Sequence, residues 1–432
     1  MHLKFRNVND AFEGLVRGIH QGRIPTDVQS SRNGEVLQVS EPMIVTYERP
    51  TERVLFNSVR DCNPFFHLFE SLWMLAGCND VAALKIFNSR IGDYSDDGLT
   101  FNGAYGYRWR YAAVMDDDAE NGWRYVNQLS TIINHLKANP TSRRAVLQMW
   151  NVKDDLLKIG VVHPGVACYE CSGSGITPGT ESTYCKHCSG TGVKKKSWTD
   201  VVSKDVCCNI SVMFSVESGD CRTCEATPGR SHASTKDYPG DCPACKGSPH
   251  DQPRYLNMTV TNRSNDLIWG MLGANVVHFS MLQEYVADSL GLEVGSYHQF
   301  TNNLHVYTET NSGWKPKEWL SEYGQTMHDD QEVYDQKLIR TPLVLDQGRF
   351  DREVLAFVHA VKSGQLNAST KYAEPFLETV AKPMCLAFAA HKQRLYPTAL
   401  ALIGQVRATD WMIAGHRWLL RREVAYLEKQ NG

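Results

Sequence analysis

Residues 261–275 read TNRSNDLIWGMLGAN. Arg263 and Ser264 close an alternating stretch, RYLNMTVTN (254–262), that predicts a strand, and Asp266, Gly270 and Asn275 follow before a helix. A guanidinium fork beside a hydroxyl suits a small anion, and an amide opening a helix suits the edge of a planar ring. The stretch therefore predicts a phosphate-plus-ring site at the end of a strand. Downstream, NVVHFSMLQEYVADSLGL (275–292) has the length and periodicity of a helix of about five turns, and SYHQFTNNLHVY (296–307) alternates as another strand.

Upstream, VCCNISVMF (206–214) places two adjacent cysteines at the head of an apolar, β-prone run. Neighbours on a strand point to opposite faces, so one of Cys207 and Cys208 faces the core and the other a cleft. From Pro64, FFHLFESLWMLAG is apolar almost all round and predicts a buried helix stopped at Gly77, with Glu70 inside it. Residues 1–30 read as an amphipathic helix (Ala11, Phe12, Leu15, Val16, Ile19) running into a loop closed by residues 30–34, with a strand at 41–48. A helix is predicted over 122–138 and a strand over RRAVLQMWNV (143–152). The last sixty residues read as helices broken at Pro383 and Pro397, with Trp411, Trp418, Leu419 and Leu420 on an apolar face.

The 432 residues, 42% of them hydrophobic, suffice for one large domain with additions, or two to three modest ones. A net charge of −3 provides no broad basic field for a nucleic-acid backbone, so a bound anion must be small and met by local arginines. The start MHLKFRNVNDAF lacks the order of a signal peptide, and no apolar run approaches the roughly 18 residues that span a bilayer. The expectation is an intracellular protein with no membrane partner. Thirteen cysteines then favour metal ligation and thiol chemistry over disulfides.

Eight of those cysteines form four CxxC pairs: Cys168 with Cys171, Cys185 with Cys188, Cys221 with Cys224, and Cys242 with Cys245. Each pair offers two thiolates on one tight turn, and two such knuckles complete a tetrahedral Zn²⁺ shell with no open position. They resemble the CxxCxGxG repeats of the DnaJ-type chaperone zinc region. A strand over 206–216, rising about 3.3 Å per residue, would hold the two sets some 30 Å apart, which favours two local structural sites. A redox dithiol relay is the alternative. Cys62, Cys78 and Cys385 read as packing residues, which leaves Cys207 and Cys208 outside the zinc inventory.

With the cysteine strand set beside Arg263-Ser264-Asn265-Asp266 and Asn275, the sequence resembles the thymidylate synthase family. FESLWMLAG is similar to that family's glutamate helix, GAYGYRWR carries its Tyr-Gly-x-x-Trp-Arg motif at Tyr105, and SRRAVLQMWNV (142–152) matches its Ser-Arg-Arg segment. The resemblance implies an α/β (α+β) fold: a mixed sheet with surrounding helices, two zinc-ribbon insertions, and a helical C-terminal extension. It divides the chain into core at 1–160, 205–217 and 253–365, ribbons at 161–204 and 218–252, and the extension at 366–432. It implies Cys208 as the nucleophile at carbon 6 of a pyrimidine and Arg263 as the cation that activates it. Glu70, set in an apolar helix, would relay protons at the base. Tyr105 joins them as catalytic, and Asp266 and Gly270, with Glu70, would hold the pterin of 5,10-methylenetetrahydrofolate. Arg32, Arg143, Arg144 and Arg263 would cage the phosphate with Ser264, while His305 and Tyr307 would hold the deoxyribose. Arg143 and Arg144 would reach across a homodimer.

Departures from the pattern bear on the product. The histidine usual after the nucleophile is Asn209, and Ile91 and Tyr94 stand where folate-flanking tryptophans are usual. A wetter site favours water over hydride at the exocyclic methylene carbon, giving hydroxymethyl rather than methyl. That resembles the phage deoxynucleotide hydroxymethylases of the same family, with dTMP synthesis as the alternative. Asn275 matches uracil, hence dUMP over dCMP, although one extra residue in GMLGAN leaves Ala274 as another candidate at the reading position. The competing class is a zinc-ribbon binding protein on an inactive scaffold, gripping nucleic acid or a partner through Lys194, Lys195 and Lys196.

Overall fold

The computed structural model describes residues 1–31, 34–115, 122–158 except 153, 203–218, 254–309, 313–321 and 333–431 except 337, with short pieces between 166 and 194. Its organising element is a mixed eight-stranded sheet. Strands β1 (His2–Phe5), β4 (Met43–Tyr47), β12 (Glu293–Tyr307), β11 (Arg254–Asp266), β10 (Asn209–Ser218) and β7 (Val146–Gln148) lie side by side in that order. The hairpin β2 (Thr26–Ser31) and β3 (Gly34–Val39) joins the C-terminal end of β12. β11 runs parallel to β12 and antiparallel to β10, which brings Arg263 and Ser264 beside the start of the cysteine strand.

Period-2 patterning explains the sheet's two faces. Val212, Phe214, Leu256, Met258, Val260 and Tyr297 are buried on one of them. On the other, Met213 pairs with Thr259 and Thr261 with Phe300, all exposed or half-buried. Behind the buried face lie α2 (Pro64–Leu75) and α6 (Asn275–Leu290), which pack on each other. Asn63 caps α2 by accepting from the Phe65 and Phe66 amides, and Pro64 occupies the first turn, where a missing N–H costs nothing.

Four further helices, α7 (Gln347–Lys362), α8 (Lys382–Lys392), α9 (Tyr396–Ile403) and α10 (Thr409–Asn431), follow the sheet. They share its core: Phe65 of α2 meets Phe388 at 5.5 Å and Trp418 at 5.4 Å between ring centroids. Such aromatic pairs add about 0.5–1.5 kcal/mol each beyond the area they bury. The C-terminal helices therefore complete the wall around α2. Pro383 and Pro397 sit in the first turns of α8 and α9, where they start helices instead of interrupting them.

The expected mixed α/β sheet with surrounding helices is correct, and several local expectations need correction. The predicted helix over 1–30 is α1 (Val8–His20) alone, with β1 before it and β2 in place of the loop. β2 reads TDVQSS and is exposed along almost its whole length, so it has no buried face to imprint an alternation. The helix predicted over 122–138 begins later, as α5 (Gln128–Ala138); WRYV (123–126) is a strand, β6, paired with β5 (Ala112–Met115). The strand predicted over 143–152 shrinks to the three residues of β7.

Around the first cysteine set, β8 (Val166–Ala167) pairs antiparallel with β9 (Val193–Lys194), and Ile176 bridges Tyr184. Between these ladders Cys171 and Cys185 bury against each other, each 3% exposed. Cys168, Cys188 and the whole second set, Cys221, Cys224, Cys242 and Cys245, lie outside the described residues. Among the described residues no group of three or more His, Cys, Asp or Glu side chains forms a metal cluster, and no helix is long and apolar enough to cross a membrane.

Candidate active site

A cavity of about 240 Å³ opens between α2, the start of α6 and the segment leading into β10. Its wall includes Cys208, Glu70, Tyr105 and Asn275, four residues that are up to 205 positions apart in the chain. The helix α4 (Tyr105–Arg110) reaches it by lying almost against the end of α2. A Cβ on Gly106 would sit 2.0 Å from the Met74 carbonyl oxygen, so only glycine allows that approach.

The two cysteines divide as strand geometry requires. Cys207 is 1% exposed; its Sγ–H donates to the Asn209 carbonyl at 3.1 Å, and burial pushes its thiol well up. Cys208 lines the cavity. Arg263 faces it with Nη2 3.6 Å from the Cys208 sulfur, while Nε donates to the Cys207 carbonyl and Nη2 to the Val206 carbonyl, both at 3.0 Å. A guanidinium fixed this way favours the thiolate over the thiol.

Beneath the loop lies an ion pair that the sequence reading missed. Arg108 of α4 and Asp155 are both buried and bonded in a bidentate manner, and Arg108 also donates to the Met149 carbonyl at 2.7 Å. Asp155 Oδ1 in turn accepts the Cys207 amide at 3.0 Å. The pair thus anchors the backbone one residue before the nucleophile. Asp205, also in the cavity wall, accepts from the Gly103 amide at 2.7 Å, and burial raises its carboxyl above the usual range.

Between Asp266 and Asn275 the chain winds as a π-helix, Leu267–Ala274, whose wide turns hold more residues than α-turns. Asp266 caps its start by accepting from the Trp269 amide. Ala274 and Asn275 both line the cavity, and Asn275 carries the only hydrogen-bonding side chain of the two. The Asn275 Nδ2 donates to Asn265 Oδ1 at 3.0 Å, and among the described residues its second N–H and its Oδ1 are left for a ligand. Gly270 makes room for this contact: a Cβ there would stand 2.1 Å from Asn265 Oδ1.

Glu70 is 9% exposed and has a partner the sequence reading did not name, His278, whose Nε2 lies 2.9 Å from Glu70 Oε2. The approach is off the hydrogen-bonding line, so both atoms lack an aligned hydrogen bond among the described residues. Asn209, at the position of the family's usual histidine, is fully buried and donates to the Thr261 carbonyl and to Asn262 Oδ1, both at 3.1 Å. It does not line the cavity. Ile91 and Tyr94 do, together with Trp73, Leu84 and Phe101.

The remaining predicted residues fall into separate groups. His305 and Tyr307 meet edge to face on β12 with centroids 5.4 Å apart, and His305 Nδ1 is 3.0 Å from Asn303 Oδ1. Asp266 is the β-ladder partner of His305; burial raises the Asp266 carboxyl and lowers the His305 imidazole. Ser264 is paired with Asn303 on the same ladder. Arg143 and Arg144 are exposed before β7 and do not line the cavity. Arg32 lies outside the described residues.

The sequence matches the thymidylate synthase family over residues 51–172 and 234–344, more than half of the chain. The chain belongs to the thymidylate synthase family. Within it, the chain is similar to the deoxyuridylate hydroxymethyltransferase of Pseudomonas phage M6, 35% identical over 430 residues that cover 98% of this chain and 95% of the relative. It is also similar to the deoxyuridylate hydroxymethyltransferase of Bacillus phage SP01, 29% identical over 311 residues, or 71% of this chain and 57% of that one. In this member of the thymidylate synthase family, one cavity wall gathers Cys208, Glu70 and Asn275, with Arg263 behind the cysteine sulfur.

Proposed function

We propose that this protein transfers a one-carbon unit from 5,10-methylenetetrahydrofolate to carbon 5 of dUMP and releases 5-hydroxymethyl-dUMP. The observation that carries the reading is the placement of Asn275 in the same cavity as Cys208, under near full-length similarity to a protein named for this reaction. The spare N–H and carbonyl oxygen of Asn275 match O4 and N3–H of uracil, whereas cytosine would present donors and acceptors the other way round.

Each residue then has a task. Cys208, held ready by Arg263, adds to carbon 6, and the electron pair displaced to O4 makes carbon 5 a nucleophile. Glu70 moves protons at the base, and Tyr105, stacked on Phe279 at 5.8 Å, closes the wall above the thiolate. Trp73, Leu84, Ile91, Tyr94 and Phe101 offer an apolar surface for a flat pterin; Asp266 and Gly270, outside that lining, would hold it from the π-wound segment. Arg263 and Ser264 hold the phosphate with Arg32, and His305 and Tyr307 hold the sugar. Arg143 and Arg144, exposed in one chain, serve the partner's phosphate in a homodimer formed through the open sheet face. The resemblance to phage proteins favours action in a host cell's cytoplasm.

The burial of Cys171 against Cys185 between two short ladders supports a local zinc ribbon completed by Cys168 and Cys188. The second set would hold a second structural Zn²⁺ through Cys221, Cys224, Cys242 and Cys245. The test of the reaction is incubation of the protein with methylenetetrahydrofolate and either dUMP or dCMP, with the product base weighed by mass spectrometry. 5-Hydroxymethyl-dUMP and tetrahydrofolate are expected; dTMP with dihydrofolate, or turnover of dCMP alone, would overturn the proposal.

A further inference from the structure

His278 stands three residues after Asn275 on α6, one turn deeper into the cavity wall. It is 3% exposed, and neither Nδ1 nor Nε2 has an aligned hydrogen bond among the described residues. Glu70 Oε2, 2.9 Å from Nε2, is in the same position. A buried polar atom left without a hydrogen bond costs about 1–3 kcal/mol, and Glu70 Oε2 and His278 Nε2, too close at 2.9 Å to admit a molecule between them, call for a polar guest that meets the pair from the cavity they line. Cys208 and Asn275 line the same cavity, so the guest would share the space with the bound base.

We propose that His278 and Glu70 together hold the water molecule that becomes the hydroxyl group, which makes His278 a determinant of hydroxymethyl transfer. This rests on the function proposed above. In the step concerned the base is bonded to Cys208 through carbon 6 and carries an exocyclic methylene on carbon 5. The water oxygen forms a bond to the methylene carbon, and the π pair of that double bond moves through carbon 5 to O4, where Asn275 receives the charge. One water proton passes to His278 Nε2. The O4 charge returns, restores the carbonyl and the ring double bond, and expels the Cys208 thiolate with the carbon–sulfur pair. No hydride moves, so the folate leaves as tetrahydrofolate, and the transferred proton goes from the imidazolium through Glu70 to solvent. One water is consumed in each turnover.

The test is a single turnover, with the full-length protein in molar excess over dUMP tritiated at carbon 5 and methylenetetrahydrofolate present, comparing wild type with His278→Leu and His278→Gln. Tritium release reports carbon transfer to the ring, and mass spectrometry reports the hydroxymethyl product. His278→Leu is expected to keep tritium release within about threefold while product falls by about a hundredfold or more, the range of a lost general base. An added thiol should then trap the stalled methylene carbon as a thioether. His278→Gln, which still hydrogen-bonds water, should recover part of the product, and it is the deciding variant if a melting curve shows His278→Leu unfolded. Equal losses of tritium release and product in the folded variant, or wild-type product from it, would overturn the inference. Wild-type protein that makes dTMP would overturn the proposed function itself.

Discussion

The Arg263 guanidinium lies 3.6 Å from the Cys208 sulfur and is tied to the carbonyls of Val206 and Cys207, the two residues before that sulfur. The cation and the nucleophile are therefore positioned by the same three-residue stretch, Val206 to Cys208. Arg263→Lys keeps the charge but has no fork to hold both carbonyls. It is expected to slow turnover by at least tenfold and to move the pH profile of Cys208 alkylation by iodoacetamide upward, because the thiolate loses its fixed partner. An unchanged alkylation profile would separate the arginine from thiol activation.

Asn275→Asp exchanges the amide for a group whose oxygens only accept when ionised. A fall of about a hundredfold or more in kcat/KM for dUMP is expected, with a gain for dCMP, measured with both nucleotides at fixed folate. Gly270→Ala should act on the same contact at one remove. Its methyl would displace the Asn265 amide that steadies Asn275, so KM for the nucleotide should rise, and an unchanged KM would show that the Asn265 contact is dispensable.

Asp155→Ala removes one partner of a buried, bidentate pair. The cost is expected to be about 3–5 kcal/mol in chemical denaturation, because Arg108 is left charged and unpaired. The freed Cys207 amide should also loosen the nucleophile, so kcat should drop further than Asp155→Asn, whose carbonyl still accepts, would cause. Equal activity in the two variants would confine the pair to stability.

His391 lies 8% exposed among Phe388, Tyr396 and Trp418, and burial lowers its pKa from 6.5 to about 4. The unfolded chain thus takes up a proton before the folded one does. This contribution to stability should be full above pH 6.5 and be lost as pH falls toward 4. His391→Leu should flatten that limb of the melting temperature against pH; an identical slope in the variant would assign the acid sensitivity elsewhere.

The paired burial of Cys171 and Cys185 leads to a metal prediction. Elemental analysis of the purified protein should find about two zinc ions per chain, and Cys171→Ser or Cys185→Ser should each remove about one. A zinc content unaffected by either substitution would sink the ribbon assignment.

Much of this was legible in the chain because its signals are local. The apolar helix around Glu70, the alternation of 254–262 and the paired cysteines each depend on a few neighbouring residues, and the structure places Glu70, Tyr105, Cys208 and Asn275 in one cavity. What escaped depends on partners distant in sequence. His278 sits inside NVVHFSMLQ, where its neighbours read as core, and only the approach of α2 gives it Glu70. Arg108 and Asp155 lie 47 residues apart with no shared pattern. β2 and β6 are short edge strands whose identity comes from the strand beside them, not from their own period.

The π-wound segment 267–274 has a bearing on how such proteins diverge. One end is pinned by the Asp266 cap and the other by the Asn265–Asn275 contact, so a residue gained or lost between them changes the pitch of the link while both anchors stay put. An alignment that forces a spacing one residue shorter would set Ala274, not Asn275, at the position that the proposed function gives to Asn275.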